Sequence, residues 1–414
     1  MAGFLTDDAS RNGRQVPDRA ILAELLEIAF FFSLSREEGA SVRCALLILD
    51  PANPDPRPPL RLTDRRWQCV PLRERLPLTV ATLSKLAPAA DPWATALAVH
   101  HYEEGWFVWA LLDQQVHFNR WRYLDAESGP DNPHAYRILV EDVGHIVIYW
   151  DYDAIIRQVR DQLLAAPEPV FSYGPIAQRM SAISESFAAK LIARVGSLYA
   201  EHEFWPSIVR REVVRSIQRI LLHIVKYRHG GAVLISDAAG EDLRSKYPLT
   251  YDRLAIALLK HLEATVRWRH ATDEIHASSE VPAKIEREAR LYGRDMRDTA
   301  AELDGCIHFI ASMARVDGLV WLSQSLAVRG FGVEIRSADD PPSIVAAGDA
   351  EVTEERVETR DARHFGMRHR SMIRYCFANS DAIGFVVSED GPVRAVMMHS
   401  GDMVLWEDVR LRDE

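Results

Sequence analysis

The 414-residue chain predicts an α/β protein of the α+β kind: a smaller α+β domain at the N-terminal end, then a mixed β-sheet flanked by helices. Three observations carry this expectation. Short apolar runs rich in β-branched and aromatic residues recur in both halves and alternate with stretches of helical period. A Pro-containing stretch, "APEPVFSYGP" (166–175), separates the two patterns. A hydrophobic content of 48% is enough to bury a core in each part.

The elements follow in order. "ILAELLEIAFFFSL" is an amphipathic helix, interrupted by Glu24 and Glu27 and too short to cross a bilayer. Strands are expected at "RCALLILD" (43–50), "GWFVWALLD" (105–113), "YRILVED" (136–142) and "GHIVIYW" (144–150), and "DAIIRQVRDQLL" carries a helical pattern that would close a domain over 18–165. Residues 166–204 are expected as a linker and connecting helix. Ile183, Phe187, Leu191, Val195 and Leu198 mark that helix, and Ile217, Leu221 and Ile224 mark another after the break at Pro206. The second domain is expected over 205–410. Its first strand is "GGAVLIS" (230–236), and further helices run through Leu254, Leu258 and Leu262, through about 283–300, and through Leu303, Ile307, Ile310 and Met313. Two strands, "DGLVWLS" and "AVRGFGVEI", precede an acidic excursion over 337–362 expected in solvent. "AIGFVVS", "VRAVMMH" and "MVLWEDV" then close the sheet.

The charge balance, 49 Lys+Arg against 60 Asp+Glu with a net charge of −11, argues against broad attraction to nucleic acid or to an anionic membrane. Four dispersed cysteines without a CxxC pair suggest neither a zinc ribbon nor a disulfide framework. The N-terminal residues lack the basic-then-apolar order of a signal peptide, so the expected compartment is the cytoplasm. Against this acidic background "RHFGMRHRS" (363–371) gathers Arg363, Arg368, His369 and Arg370 around one Gly-Met step. Arg guanidinium forks beside a glycine turn suit phosphates, although a solvated basic edge is the commoner use of such a stretch.

"GGAVLIS", "VDGLVWLS", "GFGVEI", "FGMRHRS" and "FVVSEDG" occur in the order of the blocks of the diadenylate cyclase (DAC) domain, and residues 205–410 resemble it. "GFGVEI" and "SEDGPVRAV" are most similar to the branch with an N-terminal sensor domain, often labelled DACNV. The resemblance implies a DAC-type fold and the condensation of two ATP, or a related nucleotide, to cyclic di-AMP or a similar dinucleotide. It implies Mg²⁺ or Mn²⁺ held by Asp317 and Glu389, and Gly318 against the nucleotide. Arg368 and His369 would serve catalysis by binding phosphates, with Gly366, Met367, Arg370 and Ser388 also binding nucleotide. Ile335, or Val333, would touch the adenine. Two DAC-like domains would associate face to face, since each subunit supplies half of the site, and an unidentified small-molecule or protein effector would act on the N-terminal domain.

Two positions depart from the family pattern. Met367 stands where the family has threonine, which removes a hydroxyl that donates to phosphate, worth ~1.5–3 kcal/mol. Leu319 replaces alanine beside Asp317 and is expected to reshape the pocket, at a cost of ~1–3 kcal/mol if the surroundings do not adjust. The alternative is therefore a catalytically impaired domain that binds nucleotide as a sensor. Elsewhere, His100, His101, Glu103 and Glu104 are a weak metal candidate, because adjacent histidines on a strand point to opposite faces. His202-Glu203 lacks the second histidine of HExxH. Trp106, Trp109, Trp121 and Trp150 would suit a pocket, with core packing the commoner use, and His364 either adds charge to the basic turn or lies at the surface.

Overall fold

The computed structural model describes residues 1–411 except 38–39, 55–66, 93, 114–133, 151–152, 161, 166–167, 201–202, 228, 239–241, 278–281, 338 and 390–391. The chain divides into two compact units, Met1–Pro167 and Glu168–Asp413, each combining helices with one large mixed sheet. No helix among the described residues is long and apolar enough to cross a membrane.

In the first unit, helices α1 (Ala2–Arg11), α2 (Arg19–Ser33) and α3 (Val80–Leu86) accompany an eight-stranded sheet. Its strands are β1 (Cys44–Ile48), β2 (Gln68–Pro77), β3 (Thr95–Tyr102), β4 (Gly105–Asp113), β5 (Tyr136–Asp142), β6 (His145–Trp150), β7 (Asp153–Val159) and β8 (Gln162–Ala165), in the order β8-β7-β6-β5-β1-β3-β4-β2. Only the β1–β3 pair is parallel. Helix α2 buries Leu22, Leu25, Leu26, Ala29 and Phe32, one stripe at the 3.6-residue period, against Leu46, Leu97, Ile138 and Ile148. The alternate residues Ala45, Leu47, Ala98 and Leu139 gather with Trp109 in a separate cluster. Helix α1 is tied down where Tyr136 Oη and Arg14 Nη1 each donate to Asp8 Oδ2 at 2.8 Å.

The helix expected over "DAIIRQVRDQLL" is instead the hairpin β7–β8. Ile155, Ile156 and Val159 are β-branched and suit a pleated surface, and Ile156 pairs with Ile148 across β6. The turn sits at Arg160, whose φ is +59° and whose N–H donates to Gly144 O at 2.8 Å.

The second unit starts well before residue 205. Residues 168–200, expected as linker and connecting helix, belong to its core: helix α4 (Gly174–Val195) buries Ile176, Met180, Ile183, Phe187 and Leu191, and the Phe171 ring stacks on Phe385 with centroids 5.6 Å apart. The four-residue spacing that marks the helix in the sequence is its buried face. Helices α5 (Trp205–Lys226), α6 (Arg253–Ala277) and α7 (Ala283–Met313) share that core. Where two helices were expected after residue 283, α7 runs unbroken, since Ala300 and Ala301 between the two patterns are strong helix formers.

The strands of this unit are β9 (Gly231–Ile235), β10 (Leu243–Tyr251), β11 (Leu319–Leu322), β12 (Val328–Ile335), β13 (Ile344–Ala347), β14 (Val357–Arg360), β15 (Ile383–Val387), β16 (Val393–His399) and β17 (Asp402–Trp406), in the order β10-β12-β11-β9-β15-β16-β17-β13-β14. The acidic excursion 337–362 thus supplies β13 and β14 at one edge, with β13 parallel to β17. Central β9 is buried throughout. Val233, Ile235, Val320 and Phe385 face helices α4 to α7. Ala232, Leu234, Leu319 and Val386 face a single helix, α8 (Met367–Ala378), which lies on the other side of the sheet through Met372, Ile373 and Cys376.

Candidate functional site

Strand register gathers the candidate residues at one end of the second sheet. β9 and β11 run parallel, with Val233 opposite Val320, so Gly230 and Asp317 precede them at the same level. β15 runs against β9 with Gly231 opposite Val387, which brings Ser388 and Glu389 to this end. Val387 pairs with Val393, so β16 starts here with Arg394, and Leu319 pairs with Val333, so β12 finishes here with Ile335. Helix α8 contributes its N-terminus. The segment expected as a basic turn is this helix start: Gly366 is the N-cap without a side-chain cap, and Arg370 N–H is the first to donate back, to Gly366 O at 3.0 Å. The N–H groups of Met367, Arg368 and His369 therefore have no intrahelical acceptor and carry the positive end of the helix dipole.

The arginines and histidines of the segment have separate fates. Arg363 is tied to Asp361 at 2.6 Å, and His364 is exposed. Arg370 is bonded through Nε to both carboxylate oxygens of Asp340, at 2.9 and 3.1 Å, and Arg374 Nε reaches the same carboxylate at 2.6 Å. These two guanidiniums hold the Asp340 carboxyl well below the usual carboxylate range. Arg368 has no hydrogen-bond or ion-pair partner among the described residues and is half-buried. A Cβ on Gly230, where φ is +64°, would fall 2.7 Å from Arg368 Nη1 and 3.3 Å from Glu389 Cγ, so the guanidinium and the Glu389 stem flank this glycine.

His369 is half-buried behind Arg368. Its Nε2 lies 2.8 Å from Arg394 Nη1, which also reaches Ser388 Oγ at 3.4 Å. Burial, then the Arg394 and Arg368 charges, hold its pKa down at about 4, so the ring is neutral at physiological pH. Arg394 was the residue missed by the motif comparison; its signal is an arginine in alternation on a strand otherwise apolar toward α8.

Asp317 and Glu389 are exposed, and their carboxylates have no hydrogen-bond or ion-pair partner among the described residues. They stand at the ends of strands separated by β9, roughly 10 Å apart at the backbone by ordinary strand spacing. No cluster of three or more ligating side chains forms among the described residues, His100, His101, Glu103 and Glu104 included. Two exposed carboxylates at this spacing make no preformed protein cage for a cation.

The remaining residues expected at or beside the nucleotide have structural surroundings of their own. Gly318, at φ +115°, presses on β12: a Cβ there would lie 2.6 Å from the carbonyl carbon of Gly332. Gly366 has open space where its Cβ would be, so nothing within the chain crowds it. Leu319 is 5% exposed and packs with Val333 and Met372, so its extra bulk enters the core under α8 and not an open pocket. Met367 is the opposite, 87% exposed at the first position of the helix. Ile335 is partly buried against the α8 cluster at the end of β12.

Three indoles of the first unit have structural surroundings. Trp106 donates to Ile21 O at 2.9 Å, Trp109 donates to Leu49 O at 3.2 Å, and Trp150 lies under Arg14 with 4.6 Å to the ring centroid. Trp121 and His202 lie outside the described residues. A groove of about 490 Å³ between Arg179, Ser380, Met397 and His399 sits at the far end of β16, away from the assembled candidates.

Residues 11–113 match the model of a family described as "Probable sensor domain DACNV". The match supports a sensor domain within the first unit, as the sequence leads one to expect. Among curated proteins, none matches the chain.

Proposed function

We propose that the second unit is a metal-dependent nucleotide cyclase domain that condenses two ATP, or related nucleoside triphosphates, into cyclic di-AMP or a similar dinucleotide, under control of the N-terminal sensor domain. The observation that carries the reading is the free Arg368 guanidinium beside Gly230, at the same sheet end as the α8 N-terminus and the unpaired carboxylates of Asp317 and Glu389. Phosphates would be met by Arg368 and by the N–H groups of Met367, Arg368 and His369, which are oriented before any ligand arrives. The backbone donor at Met367 remains although the family's hydroxyl is gone. Asp317 and Glu389 would hold Mg²⁺ or Mn²⁺ with the phosphate oxygens; bound, the ion would polarise the α-phosphate and acidify the attacking 3′-hydroxyl.

Each sheet end presents one such site. Joining two nucleotides requires two of them to face each other, so the active species is a face-to-face pair of second units. Incubation of the purified chain with labelled ATP and Mn²⁺ tests the reading: a cyclic dinucleotide from the native chain and none from Asp317→Asn is the expected result. ATP binding without product at any protein concentration would move the domain to the sensor reading that Met367 raises. Neither product nor binding would refute both.

A further inference from the structure

The Arg394 side chain is built into the candidate site from the strand side. It rises from β16 on the face that meets α8, level with Val386 of β15. Its Nη1 lies 2.8 Å from His369 Nε2 and 3.4 Å from Ser388 Oγ, and its Nε is buried without a hydrogen-bond partner. A guanidinium has donors only, so the 2.8 Å contact requires a bare Nε2 lone pair on the imidazole. The remaining ring proton then sits on Nδ1.

We propose that Arg394 is a positioning residue of the phosphate site: by donating to His369 Nε2 it fixes the imidazole as the Nδ1–H tautomer, so that His369 meets a polyphosphate as a neutral hydrogen-bond donor and not as a cation. The proposal rests on the phosphate-site reading of this sheet end. The charged and titratable groups around the ring are consistent with it. Arg368 lies beside His369 on α8, Arg394 faces it from β16, and the Glu389 stem, just past the end of β15, lies near Gly230 as the Arg368 guanidinium does. Both cations oppose a proton on the ring, and its burial does the same. The bond also ties the start of α8 to the β15–β16 connection through Ser388, which fixes the direction of the helix N–H groups.

The test uses the full chain with ¹⁵N-labelled histidine, and His369→Gln identifies the His369 signals. At neutral pH the native chain is expected to show His369 with a protonated Nδ1 and a bare Nε2. Arg394→Met is expected to move the proton to Nε2 and bring the ring's titration up toward that of an ordinary histidine, while Arg394→Lys, which still donates, keeps the native tautomer. ATP affinity of Arg394→Met is expected to fall roughly ten- to a hundred-fold at pH 7.5. The ratio of variant to native affinity should then recover toward pH 5.5 as the freed imidazole becomes charged. A native His369 protonated on Nε2, or a tautomer and an affinity ratio that Arg394→Met leaves unchanged at both pH values, would overturn the proposal. A native chain that shows the expected tautomer but binds no ATP would instead overturn the phosphate-site reading.

Discussion

Arg368 and Arg370 are two residues apart in one basic motif, and their substitution should have very different effects on nucleotide binding. Arg368 has no partner among the described residues and stands beside Gly230, whereas Arg370 shares the Asp340 carboxylate with Arg374. Hydrogen bonds to a charged phosphate are worth ~1.5–3 kcal/mol, so Arg368→Gln should weaken Mg·ATP binding by roughly ten- to a hundred-fold. Arg370→Gln removes a charge already neutralised within the protein and leaves Asp340 paired with Arg374, so its effect should stay below roughly threefold. Titration calorimetry at about 0.15 M salt, where long-range attraction is screened, separates the two. Thermal melting of both variants checks that the unit remains folded. An Arg370→Gln loss equal to or larger than that of Arg368→Gln, or an unchanged Arg368→Gln, would refute the reasoning.

Further expectations come from backbone geometry and from the first unit. Gly230→Ala places a methyl 2.7 Å from Arg368 Nη1 at φ +64°, so it should lower stability by about 1 kcal/mol and weaken ATP binding as the guanidinium is displaced; intact binding in calorimetry would contradict this. Gly318→Ala meets the backbone of Gly332 at 2.6 Å, and urea unfolding should show a loss of roughly 2–4 kcal/mol. A variant of native stability would mean that β11 and β12 are not so closely apposed. Tyr136→Phe removes the bond to Asp8 that anchors α1, and should destabilise the first unit by about 1–3 kcal/mol in thermal melts, with ATP binding by the second unit untouched.

Much of the fold was legible because its strands are short and apolar with clean boundaries. "GHIVIYW" and "GGAVLIS" became β6 and β9 within a residue. The hairpin at 153–165 was not legible, because "IIRQVRDQLL" satisfies a helical period, and only the neighbouring strand β6 decides for extended pairing. The 337–362 segment failed for the opposite reason. Its many carboxylates suggested a solvated loop, although Ile344, Ala346 and Ala347 are buried in β13, between β17 and the edge strand β14, and Asp340 is the partner of Arg370 and Arg374.

Within the candidate site, motif order singled out Asp317, Arg368, His369, Ser388 and Glu389; strand register puts Asp317, Ser388 and Glu389 at one sheet end, and the start of α8 meets them there through Arg368 beside Gly230 and His369 on Arg394. What the motif did not reveal is how its charges are divided. Arg370 is committed to an acid 30 residues away, and the imidazole next to it is held neutral by its burial, with the charges of Arg394 on β16 and of Arg368 adding to the effect. Such pairings depend on contacts that are long-range in sequence, and composition around residue 366 carries no trace of them. The surroundings of Leu319 are equally non-local: its side chain is buried in the cluster beneath α8.

Hydrogen exchange with and without Mn·ATP tests most directly whether this sheet end is the nucleotide site. The amides of Met367, Arg368 and His369 have no intrahelical acceptor and should exchange rapidly in the free chain. ATP is predicted to slow exchange in peptides covering 366–371, and with them 317–319 and 387–389. Protection confined to the groove around Arg179 and His399, with residues 366–371 unchanged, would contradict the account.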